Sequence, residues 1–185
     1  MKTEIEARLL EINEKEFIDK LKSLNATFVG DWFMTRNVYD FIPADDNKWI
    51  RLRCDGQKTT LTVKEIVSKG IDGTKEFEIE VSDFDETNAI LNRLGFFARG
   101  TQTNRRIRYI LDGVEIDIDF WPLIPTYVEF EADSADQIKT LCNKLNINFD
   151  NLTTMSVSEI YEHYGKGVRA FTHVYLEEDR KNLKF

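Results

Sequence analysis

Residues 75–81 read Lys75-Glu76-Phe77-Glu78-Ile79-Glu80-Val81. Apolar and acidic residues alternate with a period of two, so the stretch is a β-strand with one acidic and one apolar face. Three carboxylates stacked on one face would only repel one another on a bare solvent surface. They require cations from neighbouring strands, and the apolar face requires a cover. These two needs organise the rest of the chain.

The cations lie on strands of the same period. Residues 48–54 place Arg51 and Arg53 opposite Ile50 and Leu52, and residues 103–110 place Arg106 and Arg108 opposite Ile107 and Tyr109. Residues 59–64 set Thr60, Thr62 and Lys64 against Leu61 and Val63. A second acidic strand, 114–120, carries Glu115, Asp117 and Asp119 opposite Val114, Ile116, Ile118 and Phe120. Residues 3–10 put Glu4, Glu6 and Arg8 on one face, and residues 127–132 do the same with Tyr127, Glu129 and Glu131. Residues 28–41 form a long extended segment. Asp55-Gly56 and Asp112-Gly113 are hairpin turn signals.

Helical periodicity predicts cover for the apolar faces at Glu14–Leu24, Asp85–Leu94 and Ala135–Leu145, with a shorter helix at Ser156–Tyr164. Each of the first three begins near a residue suited to an N-cap and ends in Leu followed by Asn or Gly, namely Asn25, Gly95 and Asn146. Glu4-Ile5-Glu6, Glu78-Ile79-Glu80 and Glu129-Phe130-Glu131 each precede one of these helices. The pattern reads as one strand–helix unit used three times within a single sheet.

Two architectures satisfy the pattern. One is a sandwich or open sheet with charged outer faces. The other is an α+β fold: a closed antiparallel β-barrel of about eight strands, charged within, with helices packed outside. The segregation of acidic and basic faces favours the barrel. A charged interior is unfavourable unless it is paired or filled by ions and a polar ligand, so such a tunnel is expected to be a functional site.

The chain has 185 residues and a net charge of −8, which disfavours long nucleic acid as a partner. A polar start and the lack of a long apolar run predict a cytoplasmic protein without membrane contact. Cys54 and Cys142 form neither a metal spacing nor a disulfide framework. His163 and His173 read as ordinary residues, and Trp32, Trp49 and Trp121 as packing between barrel and helices. A homodimer is compatible with the sequence, which does not decide it.

Arginine forks match phosphate oxygens, and clustered carboxylates hold Mg²⁺ or Mn²⁺. Together they suit a small-molecule triphosphate bound as its metal complex. At this point the sequence resembles the CYTH superfamily of triphosphate tunnel metalloenzymes. The resemblance rests on Glu4-Ile5-Glu6-Ala7-Arg8, then Arg51-Leu52-Arg53, Lys64, Glu76–Glu80, Arg106 with Arg108, Asp117 with Asp119, and Glu129-Phe130-Glu131. It covers residues 3 to about 132 well and the rest loosely; a single domain over residues 1–185 is expected, with 168–185 as a mobile tail.

The resemblance implies that Glu4, Glu6, Glu129 and Glu131 hold Mg²⁺ or Mn²⁺. Arg51, Arg53, Lys64, Arg106 and Arg108 would grip the triphosphate. Arg8, Glu78, Asp117 and Asp119 would serve the reaction, with Glu76 beside them and Glu80 and Glu115 peripheral. Lys166 or Arg169 would supply a late basic residue. Arg8 stands where the family has lysine, and unlike lysine it cannot lose a proton near neutral pH. The segments Tyr39-Asp40-Phe41, Trp121-Pro122 and Ile124–Glu129 resemble members named class IV adenylate cyclases. The implied reaction is therefore ATP to cyclic AMP and pyrophosphate. Hydrolysis of tripolyphosphate, thiamine triphosphate or a nucleotide is the alternative, and non-catalytic binding of a nucleotide or polyphosphate is the third reading.

Overall fold

In the computed structural model, residues 1–167 and 173–174 are described. The predicted tail 168–185 and Arg169 lie outside the described residues, except for the backbone pairing of 173–174. Eight strands close into a barrel: β1 (Lys2–Leu9), β2 (Thr27–Asp40), β3 (Lys48–Cys54), β4 (Thr59–Ile66), β5 (Thr74–Val81), β6 (Ala98–Leu111), β7 (Val114–Phe120) and β8 (Tyr127–Ala132). Their order is β2-β3-β4-β5-β1-β8-β7-β6, and β6 pairs back onto β2. Every pairing around this ring is antiparallel. A short β9 (His173–Val174) adds a parallel pairing to Thr101 and Gln102 of β6.

The turns follow the sequence signals. Asp112 and Gly113 both take positive φ, 53° and 80°, as a two-residue hairpin between β6 and β7 requires. At the β3–β4 turn, Asp55 Oδ1 accepts from the backbone N–H groups of Gln57 and Lys58, each at 2.9 Å. Helices α1 (Glu14–Ser23), α2 (Phe84–Arg93) and α3 (Ala135–Leu145) begin at Asn13, Asp83 and Ser134, whose side chains accept from the first turn. Asn25, Gly95 and Asn146 stand in the left-handed region just past the three helices. The predicted fourth helix is α4 (Val157–His163), opened by a reciprocal capping box between Ser156 and Glu159.

The barrel is inside out in polarity. Phe17 and Leu21 of α1, with Ile138, Leu141, Cys142 and Leu145 of α3, bury the outer faces of β6, β7 and β8. Those faces present Ile107, Tyr109, Ile116, Ile118, Val128 and Phe130. On the far side, Leu91 of α2 covers Tyr39, Ile50 and Leu52. Helix α4 lies where β7 passes into β8 and packs Ile160 and Tyr161 on Trp121 and Tyr127. Among the described residues, no helix is long and apolar enough to cross a membrane.

Two expectations need correction. The apolar face of β5 is covered only at Val81, which packs on the cluster around Leu91, while Phe77 is 58 % and Ile79 49 % exposed. Helix α2 lies chiefly on β3 rather than on the strand that precedes it, so Phe77 and Ile79 of β5 are left open. Trp32 and Trp49 do not pack between barrel and helices either. They line the interior cavity, because each shares a strand face with inward residues, Arg36 on β2 and Arg51 on β3. Only Trp121 packs against a helix as expected.

Leu141 is 1 % exposed, on the side of α3 that faces the barrel and away from the tunnel. Leu141→Ala is expected to cost about 2–5 kcal/mol in urea unfolding. Ligand binding well below the transition is expected to stay unchanged, because no tunnel side chain loses a contact.

Candidate functional site: the charged tunnel

The interior holds a cavity of about 1340 Å³. Its lining reaches Lys48 at one end of β3 and Asp55, Gln57 and Lys58 at the other, so it runs the length of that strand. All the predicted metal and phosphate residues line it: Glu4, Glu6, Glu129, Glu131, Arg51, Arg53, Lys64, Arg106 and Arg108. Arg8, Glu76 and Glu78 line it too. Glu80 does not, as expected of a peripheral residue, whereas Glu115 does.

Cross-strand register builds the site. Arg108, Asp117, Glu129 and Arg8 stand side by side across β6, β7, β8 and β1. Along the same strands, Glu115 faces Glu131 and Glu131 faces Glu6. Three carboxylates in one row repel one another. The pKa of Glu131 is raised accordingly, by burial first and then by Glu129 and Glu115.

The arginines of β6 are locked by the acids of β7. Arg106 forks onto Asp119, with Nε to Oδ1 at 2.8 Å and Nη2 to Oδ2 at 2.6 Å, and reaches Glu129 at 3.2 Å. It also meets Asp117 at 2.5 Å. Arg108 forks onto Asp117 at 2.6 Å through both Nε and Nη2. Asp117 and Asp119, expected to serve the reaction, both hold arginines here. Asp119 is fully buried, and burial keeps its pKa raised in spite of Arg106.

Arg8 holds the opposite wall. It meets Glu129 at 2.5 Å and Glu6 at 3.0 Å, and Nη1 donates to the carbonyl of Met155 at 2.8 Å. Its backbone also pairs with Thr153. The guanidinium therefore ties β1 to the segment that leads into α4. Burial favours neutral Glu129, but Arg8, Arg106 and Lys64 outweigh it and hold its pKa well below the usual carboxylate range.

On the β4–β5 side, Lys64 Nζ lies 2.8 Å from Glu4 and 2.9 Å from Glu76. One lysine serves two acids. Glu76 keeps the charge, its pKa lowered by Lys64 and Arg51 against burial. Glu4 is pushed up to about 8 by burial, opposed by Lys64 and reinforced by Glu6 and Glu76. Beside it, Thr62 Oγ1 donates to Glu78 at 2.6 Å, and Arg51 reaches both Thr62 and Glu78. Lys166 is exposed and is absent from the tunnel lining.

The donor set fits a hard divalent cation, which would bring charge where carboxylates now repel. Glu4, Glu6, Glu129 and Glu131 occupy adjacent strands β1 and β8. Among the described residues no three acidic, histidine or cysteine side chains already converge on one point. The reason is visible, since Glu4 turns to Lys64 while Glu6 and Glu129 turn to Arg8.

This geometry agrees with a family pattern, that of the CYTH domain, which matches residues 2–156. The chain belongs to the CYTH family. Solved structures with the same fold include the PH1012 protein of Pyrococcus horikoshii OT3, 22 % identical, with a TM-score of 0.74 over 85 % of this chain and 98 % of that one. A putative adenylate cyclase from Vibrio parahaemolyticus is 15 % identical, with a TM-score of 0.72 over 87 % and 98 % of the two chains. A putative adenylyl cyclase from Hippeastrum, described as having a dominant triphosphatase activity, is 17 % identical, with a TM-score of 0.62 over 88 % and 96 %. A comparison with curated proteins finds no match. CYTH proteins are in general metal-dependent and typically enzymes.

The sequence reading missed the contribution of β2. Trp32, Met34, Arg36 and Val38 form its inner face. That face mixes large apolar residues with a single cation, so no charge pattern marked it. Only the pairing of Arg36 with Arg53 and Gln102 brings it into the site.

The raised pKa of Glu4 gives a pH signature. Burial holds the Glu4 proton in the fold up to about 8, whereas an ordinary glutamate, as in the unfolded chain, loses it near 4.5. The unfolded state then binds fewer protons, so stability falls as pH rises across this window. In metal-free melts from pH 5 to 9, wild type is expected to lose Tm relative to Glu4→Gln. A pH-independent difference between the two would show that Glu4 is not raised.

Proposed function

We propose that this CYTH protein is a divalent-metal-dependent enzyme acting on a small triphosphate in the tunnel, with hydrolysis as the leading reaction. The observation that carries the reading is the facing of two unlike walls. Carboxylates of β1 and β8 lie across the cavity from arginines of β2 and β3, the arrangement that a metal-complexed polyanion needs.

Glu4, Glu6, Glu129 and Glu131 would hold the Mg²⁺ or Mn²⁺. The ion would supply charge neutralisation at the phosphoryl oxygens and orient the attacking oxygen. Arg51, Arg53 and Lys64 would bind and align the phosphates. Arg106 and Arg108, fixed by Asp117 and Asp119, would present preset donors that need no reorganisation. In hydrolysis a water oxygen bonds to the terminal phosphorus as the bridging P–O bond breaks, the diphosphate portion departs as leaving group, and orthophosphate and the water proton are released. The reaction needs little covalent help from protein, so positioning and electrostatics suffice. Glu78, which accepts from Thr62 and Arg51, faces the cavity as an acceptor for that water. Arg8 stays protonated throughout and fixes Glu6 and Glu129 rather than carrying a proton.

Hydrolysis comes first because it asks only for phosphate, metal and water, which the tunnel's charged groups serve. The Hippeastrum relative, with its described triphosphatase activity, supports that order. Cyclisation of ATP is the second reading, favoured by Trp49 on the cavity lining beside the Asp45–Lys48 segment, where a base could stack. The substrate is then a small triphosphate, with no role for long nucleic acid or membrane.

The test is incubation with tripolyphosphate, ATP and thiamine triphosphate, each with Mg²⁺ or Mn²⁺, and identification of products. Free phosphate is expected. Cyclic AMP with pyrophosphate would install the second reading, and metal-dependent binding without product would reduce the protein to a binding module. Glu4→Ala and Glu131→Ala are expected to lower turnover by on the order of 100-fold while the protein stays folded. Full activity in both would remove the metal assignment.

A further inference from the structure

The cations of the tunnel are not equivalent. Arg106 meets Asp117, Asp119 and Glu129, and Arg8 meets Glu6 and Glu129. Arg36 differs. Its Nε donates to Gln102 Oε1 at 2.9 Å, and its guanidinium lies over the ring of Trp121, 4.2 Å from the centroid. Among the described residues it has no ion pair with a carboxylate. Directly across the strand pair stands Arg53, whose nearest carboxylate oxygen, on Glu78, is 3.9 Å away.

Two arginines face each other here with almost no countercharge. Burial and Arg51 hold the Arg36 pKa down to about 10, while Arg51 and then burial hold Arg53 down to about 9. Both remain cationic at neutral pH. Concentrated unpaired charge in a partly dry cavity opposes folding. An anion would relieve it.

The position of β2 sharpens this. From β2 to β1 the ring takes four steps through β3, β4 and β5, and four through β6, β7 and β8. Arg36 therefore stands diametrically opposite the strand that carries Glu4 and Glu6. Gln102 occupies Nε, and Trp121 fixes the plane of the fork. Both Nη groups are left for a ligand.

We propose that Arg36 is a phosphate-binding residue of the tunnel, forming with Arg53 the anion seat opposite the metal-binding carboxylates. This rests on the reading of the cavity as a triphosphate site. The polyanion is clamped between unlike walls, with a dication on β1 and β8 and paired arginine forks on β2 and β3. Arginine suits the position because it stays charged beside another cation, where a lysine would tend to lose its proton.

Calorimetric titration with tripolyphosphate, with and without Mg²⁺, tests the assignment on Arg36→Gln and Arg36→Lys, beside melts of the free proteins. The glutamine variant is expected to bind about 10- to 100-fold more weakly, the loss of charged hydrogen bonds. The lysine variant is expected to fall between it and wild type. Removing unpaired charge is also expected to leave the Tm of free Arg36→Gln at or above that of wild type. Binding within twofold of wild type in the glutamine variant overturns the proposal. So does an equal loss in both variants with a lowered Tm, which would mark Arg36 as only a stacking partner of Trp121. If wild type itself does not bind tripolyphosphate, the triphosphate reading fails and this proposal falls with it.

Discussion

The buried guanidinium of Arg106 is the interaction on which the tunnel depends. It sits between Asp119, Asp117 and Glu129, drawn from two neighbouring strands. Without it, Asp119 would be buried with no cation and Asp117 held by Arg108 alone, where charge is poorly solvated. Removing one member of such a set is far more costly than the set is stabilising, because the survivors keep their desolvation cost. The whole fold accommodates this inversion. Apolar residues that would fill an ordinary barrel face outward, and α1, α2 and α3 exist to cover them. The interior is thereby released for chemistry.

That division of labour runs around the ring. On β6, β7, β8 and β1, cations and carboxylates largely satisfy one another. On β2 and β3, Arg36 and Arg53 do not. Charge is compensated where the protein must hold its own shape and left uncompensated where a ligand would supply the missing sign. Arg8 belongs to the first group. Its three contacts, to Glu6, Glu129 and the Met155 carbonyl, make it a tie between the barrel and the approach to α4.

Much of this was legible in the sequence because charge alternated so cleanly. Glu76, Glu78 and Glu80, then Arg51 with Arg53 and Asp117 with Asp119, announced strands with one charged face. The hairpin dipeptides, and an Asp, Ser or Asn near the start of each helix, marked the approximate boundaries, and Asn13, Asp83 and Ser134 prove to be the caps. The closed barrel followed from asking what could neutralise those faces. The misses have a common cause, which is that period reveals a face and not its neighbours. Arg36 stood alone among apolar residues, so its value depended on a cross-strand partner 17 residues away that pairing alone supplies. Phe77 and Ile79 looked like covered positions, yet which strand a helix reaches is set by the length of its connection.

The place of β1 in the ring has a consequence for how the protein comes into being. Residues 2–9 pair on one side with β5 and on the other with residues 128–132 of β8. The strand of the ring made before all the others must therefore wait for the one made after them. Contacts this distant in sequence make for slow closure. Until then Glu4 and Glu6 have no cavity to face, and the apolar sides of β2 through β7 stay open to other chains. Acidic positions made ahead of the rest of the ring are the last to be seated, so the barrel is most vulnerable to aggregation just before its eighth strand arrives.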